Sequence, residues 1–390
     1  MNNDRKSQIS YVVVFIVLIS VFGYFSFANL VNFYVKDEVD YNEWTVNLGN
    51  KFETDEATTF FGKFKFVNFN GAVRNILGQR EMNGILKLNN GHLVISEKKR
   101  SNEEIKAYAD EVIKFADFCK EKGKPVLFVQ PNLKIDADNK QLPVGTEDYS
   151  NENIDVFISY LKDAGIEVVD IRNDMKRDGL DLYDYTYVTD HHWNTEGCFY
   201  AFTRITDWIG NKTGIFADPR VTDIDNYEIK TYEKWHLGSY GQRVGEYFAG
   251  IDDYDLILPK FDVSFITDDG NSHTFCEQAV NDSVFKMRDA KSRYTYDWAL
   301  QIPEGIASTS RDLSVLFVTD SYSTAMSPYL KLAYSEYYYQ YYPTGLKADY
   351  VVESDPDVVI LMPFNTSVFN VVGPGGTNGA IFIDATEEHH

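Results

Sequence analysis

Leu313-Ser314-Val315-Leu316-Phe317-Val318-Thr319-Asp320-Ser321-Tyr322-Ser323 is an apolar run that stops on a serine. Short runs of this kind, bounded by polar residues, suit a strand covered on both faces of a parallel sheet. A helix is predicted directly after Ser321. Ligands of open α/β sheets bind beyond the carboxyl ends of the strands. Ser321 should therefore stand on the functional edge, beside a helix N-terminus whose N–H groups favour an anion. Asp320 and Ser321 are also ordinary helix-capping residues, so position alone leaves both readings open.

The same alternation surrounds this run. Gly84 to Ser96 reads as a β-hairpin around Asn90-Gly91. Ser101-Asn102-Glu103-Glu104 opens a helix with a capping-box pattern. Ile105, Tyr108, Ala109, Val112, Phe115, Ala116 and Cys119 then recur at helical spacing, until Gly123 and Pro125 stop it. Val126 to Val129 is a strand, Asn153 to Ala164 a helix, Ile166 to Val169 a strand, and Asn194 or Thr195 caps a helix to Ile209. Strands are also expected near Tyr337–Tyr341 and over Val358–Met362. Strands alternating with helices imply an α/β fold on a parallel sheet flanked by helices. Residues 211–310 break the rhythm and read as a β-rich insertion, with strands at Tyr254–Leu258 and Val263–Ile266.

Ile9 to Ala28 carries no charge. As a helix at 1.5 Å per residue it is about 30 Å long, the thickness of a bilayer core. Arg5 and Lys6 precede it, and Lys36, Asp37, Glu38 and Asp40 follow, which favours an N-terminus inside and the bulk of the chain outside. The expected organisation is a cytoplasmic tail at 1–8, a transmembrane anchor at 9–29, a stalk at 30–80 that leads into the exported part, and one domain at 81–386. Ser26-Phe27-Ala28 also fits signal-peptide cleavage. The net charge of −22 disfavours nucleic acid and anionic lipid as general partners. Cys119, Cys198 and Cys276 show no metal spacing; Cys119 falls on an apolar helix face, and a Cys198–Cys276 bridge is the one pairing considered.

Thr189-Asp190-His191-His192-Trp193 supplies what Ser321 lacks. A serine hydroxyl is a poor nucleophile until a base takes its proton and a third group holds that base. Asp190 can reach His192 over one tight turn. Alternatives are His191 as the base, His192 packed structurally on Trp193, or metal ligation by Asp190, His191 and His192; adjacent histidines rarely face one ion.

The Asp190-His191-His192-Trp193 motif, with Asp320-Ser321-Tyr322 downstream, resembles the DHHW family. These are bacterial envelope proteins related to the SGNH hydrolase-like O-acetyltransferases of the alginate-acetylation type. Asn83-Gly84-Ile85, Gly238-Ser239-Tyr240-Gly241-Gln242-Arg243 and Asp355-Pro356-Asp357-Val358-Val359-Ile360 extend the resemblance. It implies an SGNH-like fold in which Asp190 orients His192 and His192 activates Ser321. It further implies a polysaccharide acceptor and a membrane-bound O-acyltransferase as acyl-donor partner; from the residues themselves no metal or other cofactor is expected. Thr319 stands where many such enzymes have Gly, and the Gly and Asn blocks of their oxyanion hole have no clear copy here. Asn365 and the Ser321 or Tyr322 backbone N–H are the candidate donors. Arg243 is a candidate substrate contact, against a structural ion pair. Two functions follow: serine acyl transfer, as O-acetyltransferase or esterase, or a non-catalytic glycan-binding scaffold using the tyrosines at 337–342, which β-propensity also explains.

Overall fold

The computed structural model describes residues 63–286, 299–370 and 382–383, with residues 13, 15–17, 19–21, 23 and 24, which are helical. The remainder of the expected anchor, the tail at 1–8 and the stalk up to residue 62 lie outside the described residues. Among the described residues no helix is long and apolar enough to cross a membrane. The chain divides into two units, Met1–Val73 and Arg74–His390. Helix α1 (Lys63–Ile76) runs across that boundary, and all the elements below belong to the second unit.

Strands β1 (Glu81–Met82), β2 (Ile85–Lys87) and β3 (Leu93–Val94) form a small antiparallel sheet. Asn83 and Gly84 turn between the first two with φ of 53° and 72°. Two successive positive φ values are what a tight hairpin of this kind needs, and Asn-Gly supplies them. Asn90-Gly91 turns the second pair, as expected, with Gly91 at φ 95°.

Helix α2 (Asn102–Glu121) is capped by Ser101, whose hydroxyl accepts the Glu104 N–H at 3.1 Å. The Glu104 carboxylate pairs with Arg100, so only this half of the expected box is seen. Then follow β4 (Val126–Gln130), α3 (Ser150–Asp163), β5 (Glu167–Asp170), α4 (Ile171–Arg177) and α5 (Thr195–Thr213). Next come β6 (Tyr227–His236), α6 (Ser239–Val244) and β7 (Asp252–Pro259), with β6 and β7 pairing as a long antiparallel ribbon. Strands β8 (Ser264–Ile266), β9 (Ser272–Thr274) and β10 (Ile306–Ala307) form a second small sheet. The chain closes with β11 (Arg311–Thr319), α7 (Ser327–Ala333), β12 (Tyr334–Tyr341), β13 (Leu346–Lys347), α8 (Ala348–Ser354), β14 (Val358–Met362), α9 (Asn365–Asn370) and β15 (Phe382–Ile383), which pairs with β13.

The main sheet has the order β12-β11-β14-β4-β5 and is parallel throughout. Side chains alternate across it with period two. Val315 and Phe317 of β11, Ile360 of β14 and Leu127 of β4 join one core with Phe199, Phe202 and Ile205 of α5. Leu316, Val318, Leu361 and Phe128 join the opposite core with Ile105, Val112 and Phe115 of α2 and Phe157 of α3. Burial of each such side chain is worth about 1.5–3 kcal/mol. Helices therefore cover both faces, and the strand ends remain as the place for a site.

One expectation changes, and the cysteine and tyrosine alternatives are placed. No regular helix follows Ser321 directly: residues 321–323 make one 3₁₀ turn and α7 begins at Ser327, with Pro328 in its first turn. Cys198 is a buried free thiol on α5 and Cys276 an exposed one, so they form no bridge. The tyrosines at 337–339 lie half-buried on the edge strand β12, in register with Val315–Phe317, while Tyr341 is exposed and Tyr342 fully buried. They are sheet residues, as their β-propensity suggests.

Candidate active site

Ser321 stands two residues beyond the last residue of β11. Its turn is fixed by Asp320, whose Oδ1 accepts the Tyr322 N–H at 3.0 Å and whose Oδ2 accepts the Phe364 N–H at 2.8 Å. One carboxylate thus ties the turn after β11 to the turn after its neighbour β14. Thr319 adds a hydroxyl bond to the Met362 carbonyl at 2.8 Å.

The Asp190 segment reaches the same edge from the loop before α5, which Asn194 caps by accepting the Gly197 N–H at 2.8 Å. Asp190 Oδ1 accepts the His192 N–H at 3.0 Å and lies 2.6 Å from His192 Nδ1. His192 Nε2 lies 2.9 Å from Ser321 Oγ, although the two residues are 129 positions apart. Trp193 Nε1 donates to the Tyr322 carbonyl at 3.1 Å, and the Tyr322 hydroxyl donates to the His191 carbonyl. These two bonds lock the segments together on either side of the imidazole.

A third segment closes the site. Asp190 Oδ2 accepts the Ser239 N–H at 2.6 Å, and His236 Nε2 lies 3.7 Å away. The approach is close enough that a Cβ on Gly238 would overlap Asp190. Asp252, at the start of β7, accepts the Val188 N–H at 2.8 Å, the Thr189 N–H at 2.8 Å and the Thr189 hydroxyl at 2.6 Å.

Asp190 and His192 are each 1% exposed. Burial alone would raise the Asp190 carboxyl, but the His192, His191 and His236 imidazoles outweigh it and hold the group well below the usual carboxylate range. Burial, helped by His191, pushes His192 down to about 4 against the pull of Asp190 and Asp320. The ring is neutral at neutral pH. Asp190, an acceptor, keeps its proton on Nδ1 and leaves the Nε2 lone pair facing the serine hydroxyl, the state of a general base at rest.

The other predicted residues are placed as follows. His191 packs against His192 with ring centroids 3.7 Å apart and planes tilted by 40°, and its Nδ1 faces Ser239 Oγ at 2.7 Å. It turns toward α6, while His192 is the ring on Ser321. Tyr322 lies flat on Phe364, centroids 4.4 Å apart and planes 10° from parallel. Its N–H is already held by Asp320. Asn365 is buried and donates from Nδ2 to Glu97. Arg243 is bound to the Asn83 carbonyl at 3.0 Å, while its own carbonyl accepts from Asn83 Nδ2 at 2.7 Å. It joins α6 to the first hairpin in place of the considered ion pair.

Asp190, His191 and His192 present ligand atoms within 4.8 Å of one another. Both Nδ1 atoms converge on the same Asp190 oxygen, at 2.6 and 3.2 Å, as hydrogen-bond partners. The remaining nitrogen of His192 faces Ser321. Sequence reasoning missed His236, Asp252 and Glu97. The only signal near any of them was the Gly238–Arg243 stretch.

Residues 92–230 match the family model of the SGNH hydrolase-like domain, acetyltransferase AlgX. That span contains Asp190 and His192 but ends before Ser321. Among solved structures the chain is similar to PatB1 of Bacillus cereus, with 18% identity, a TM-score of 0.55, and coverage of 73% of this chain and 96% of that one. PatB1 with a sulfonyl adduct gives 18% identity, a TM-score of 0.54, and 74% and 96% coverage. A DHHW family protein from Eubacterium siraeum gives 17% identity, a TM-score of 0.49, and 77% and 97% coverage. At these identities the likeness is one of fold. No curated protein matches the chain. The span matched by the family model includes the Asp190–Trp193 motif.

Proposed function

We propose that this protein is an extracytoplasmic serine acyl-transfer enzyme that O-acetylates an envelope or secreted polysaccharide through an acyl-serine. The observation that carries this reading is the relay from Asp190 Oδ1 to His192 Nδ1 at 2.6 Å and from His192 Nε2 to Ser321 Oγ at 2.9 Å. The match to an acetyltransferase-type SGNH hydrolase-like domain supports acetyl as the group transferred.

His192 Nε2 takes the hydroxyl proton as Ser321 Oγ bonds to the acyl carbonyl carbon. The tetrahedral oxyanion collapses, the donor's leaving oxygen departs with the proton from His192, and an acetyl-serine remains. A sugar hydroxyl then gives its proton to His192 and attacks the ester. Ser321 leaves with that proton, and the sugar carries the acetyl group. Asp190 stays ionised and stabilises the imidazolium formed in each half. The Asn365 amide has a second N–H beyond the one held by Glu97, and we assign it to the oxyanion. The charge-free run from Ile9 to Ala28, preceded by Arg5 and Lys6, supports a membrane anchor, which would hold the domain beside a membrane-bound O-acyltransferase as acyl donor.

The test is labelling of the protein with a serine-reactive fluorophosphonate, together with turnover of a small aryl acetate. Ser321→Ala should abolish both. Equal labelling of wild type and Ser321→Ala removes Ser321 from the mechanism.

A further inference from the structure

Glu97 lies in the loop between β3 and α2, and its Oε1 accepts from Nδ2 of Asn365, the first residue of α9. Each side chain has one more polar atom, a single carbon away from that bond: Oε2 of Glu97 and Oδ1 of Asn365. Both atoms are buried, and among the described residues neither has a hydrogen-bond partner. Buried polar atoms left this way are destabilising, so two in one contact ask for a reason. An ionised Glu97 supplies none, because a carboxylate only accepts. One proton on Oε2 satisfies both atoms at once. The acid then donates to Asn365 Oδ1 while its Oε1 accepts from Nδ2.

The surroundings favour that proton. Burial is the largest influence on Glu97 and, with Asp148, pushes it up to about 6, against the pull of Arg100 and the Asn153 amide. Asp148 faces it from the segment before α3 and accepts the Glu97 N–H at 2.8 Å. Arg100 is paired with Glu104, and its guanidinium lies over the Phe369 ring. Asn153, on α3, donates to the Lys98 carbonyl at 2.9 Å. From α6 the titratable group that feels Glu97 is the Tyr240 hydroxyl, which burial holds above its ordinary value.

The turn that carries Asn365 belongs to the candidate site. Asn365 follows Phe364, whose N–H is held by Asp320 Oδ2 at 2.8 Å and whose ring lies flat on Tyr322. Asp320 and Tyr322 flank Ser321. We propose that Glu97 is a positioning residue that works protonated: its Oε2–H donates to Asn365 Oδ1 and closes a two-bond ring, which fixes the amide and the turn after β14 against the serine turn. The ring uses the N–H on the Oδ1 side of the amide, so the other N–H points away from Glu97 and is left for the oxyanion. That the ring serves acyl transfer rests on the function proposed above; the proton does not.

The proton is read first, without turnover, by infrared difference spectroscopy of the full chain, wild type minus Glu97→Gln. An acid carbonyl band that shifts in D2O should be present at pH about 5 and give way to carboxylate as pH rises through about 6. A band that is mainly carboxylate at the lower pH overturns the proposal. Aryl acetate kinetics read the positioning. Glu97→Ala should lower kcat/KM about tenfold or more, short of the roughly hundredfold or more of losing an oxyanion donor outright. Glu97→Gln can accept and donate at the same two points, so it should restore most of that loss. Wild-type kcat/KM should fall as pH rises through about 6, and Glu97→Gln should lack that fall. Glu97→Gln as slow as Glu97→Ala, or an equal fall in wild type and Glu97→Gln, overturns the proposal. Should Glu97→Ala fail to fold, the comparison of wild type with Glu97→Gln decides it. Absence of aryl acetate turnover in the wild type would instead count against the enzymatic reading, and the infrared spectra would still decide the proton.

Discussion

Gly238→Ala probes the positioning of Asp190 without touching any reacting group. A Cβ at 238 would sit 2.2 Å from Asp190 Cβ, 2.5 Å from its Oδ2 and 2.6 Å from its Cα, whereas ordinary contact begins near 3.4 Å, so Asp190 must retreat by about 1 Å, backbone included. Gly238 is held by its N–H on the Thr189 hydroxyl at 2.8 Å and is followed by the Ser239 N–H on Asp190, so the backbone has little room to give instead. A displacement of about 1 Å in a catalytic constellation lowers rates about 100-fold. The expected result is a fall of about that size in kcat/KM for aryl acetate hydrolysis, with a fold intact by circular dichroism and a stability loss of about 1–3 kcal/mol in urea. Gly241→Ala is the matched control. Its Cβ would meet the mobile end of Leu237 at 2.5 Å and Thr189 Cβ at 3.0 Å. It should destabilise to a similar degree and cost less activity. If Gly238→Ala keeps activity within threefold of wild type, the close approach of α6 does not set the position of Asp190, and this reasoning fails.

Asp190→Asn should lower kcat about 10³–10⁴-fold, because every polar partner of this carboxylate is a hydrogen-bond donor and an amide must turn its own N–H toward one of them; steady-state kinetics on the aryl acetate read this, and a loss under tenfold would count against the relay. With His192 held down to about 4, the acidic limb of kcat/KM should fall near pH 4 instead of near 6.5. The same depression has a stability consequence: the unfolded ring takes up a proton first as pH drops, so the His192 contribution is complete above about 6.5 and declines as pH falls toward 4. Urea midpoints measured between pH 7 and 4 in wild type and His192→Phe check this, the slope difference vanishing if the ring titrates normally. Asp252→Ala leaves three donors of the Val188–Thr189 segment without their acceptor and should destabilise by about 3 kcal/mol or more, read as a lowered urea midpoint.

Much of this architecture was legible because its signals are local. The β11 run reads as a strand since alternate residues feed the two cores, and α2 reads as a helix since its apolar residues recur on one face. The Asp190–His192 contact is legible for the same reason: a carboxylate two residues before an imidazole closes on its own turn. The 3₁₀ turn after Ser321 was not, because the Asp320 carboxylate binds two N–H groups, one of them on Phe364, and α7 starts only at Ser327. The partners of Asp190 on the far side were also hidden. His236 and Ser239 come from β6 and α6, and nothing in their own sequence shows that Gly238 lets the backbone pass against a distant aspartate. Glu97 meets Asn365 across 268 residues, a pairing no periodicity records.

Ser321 Oγ taking up the acyl group is the step on which the proposed chemistry depends. Rapid acid quenching of the protein with an aryl acetate, followed by peptide mass spectrometry, measures that directly. An acetyl group should appear on the peptide carrying Ser321 in wild type, build up before steady state, and be lost in His192→Ala. Turnover with no acetylated Ser321 at any quench time, or an acetyl group that forms equally well without His192, would contradict the account.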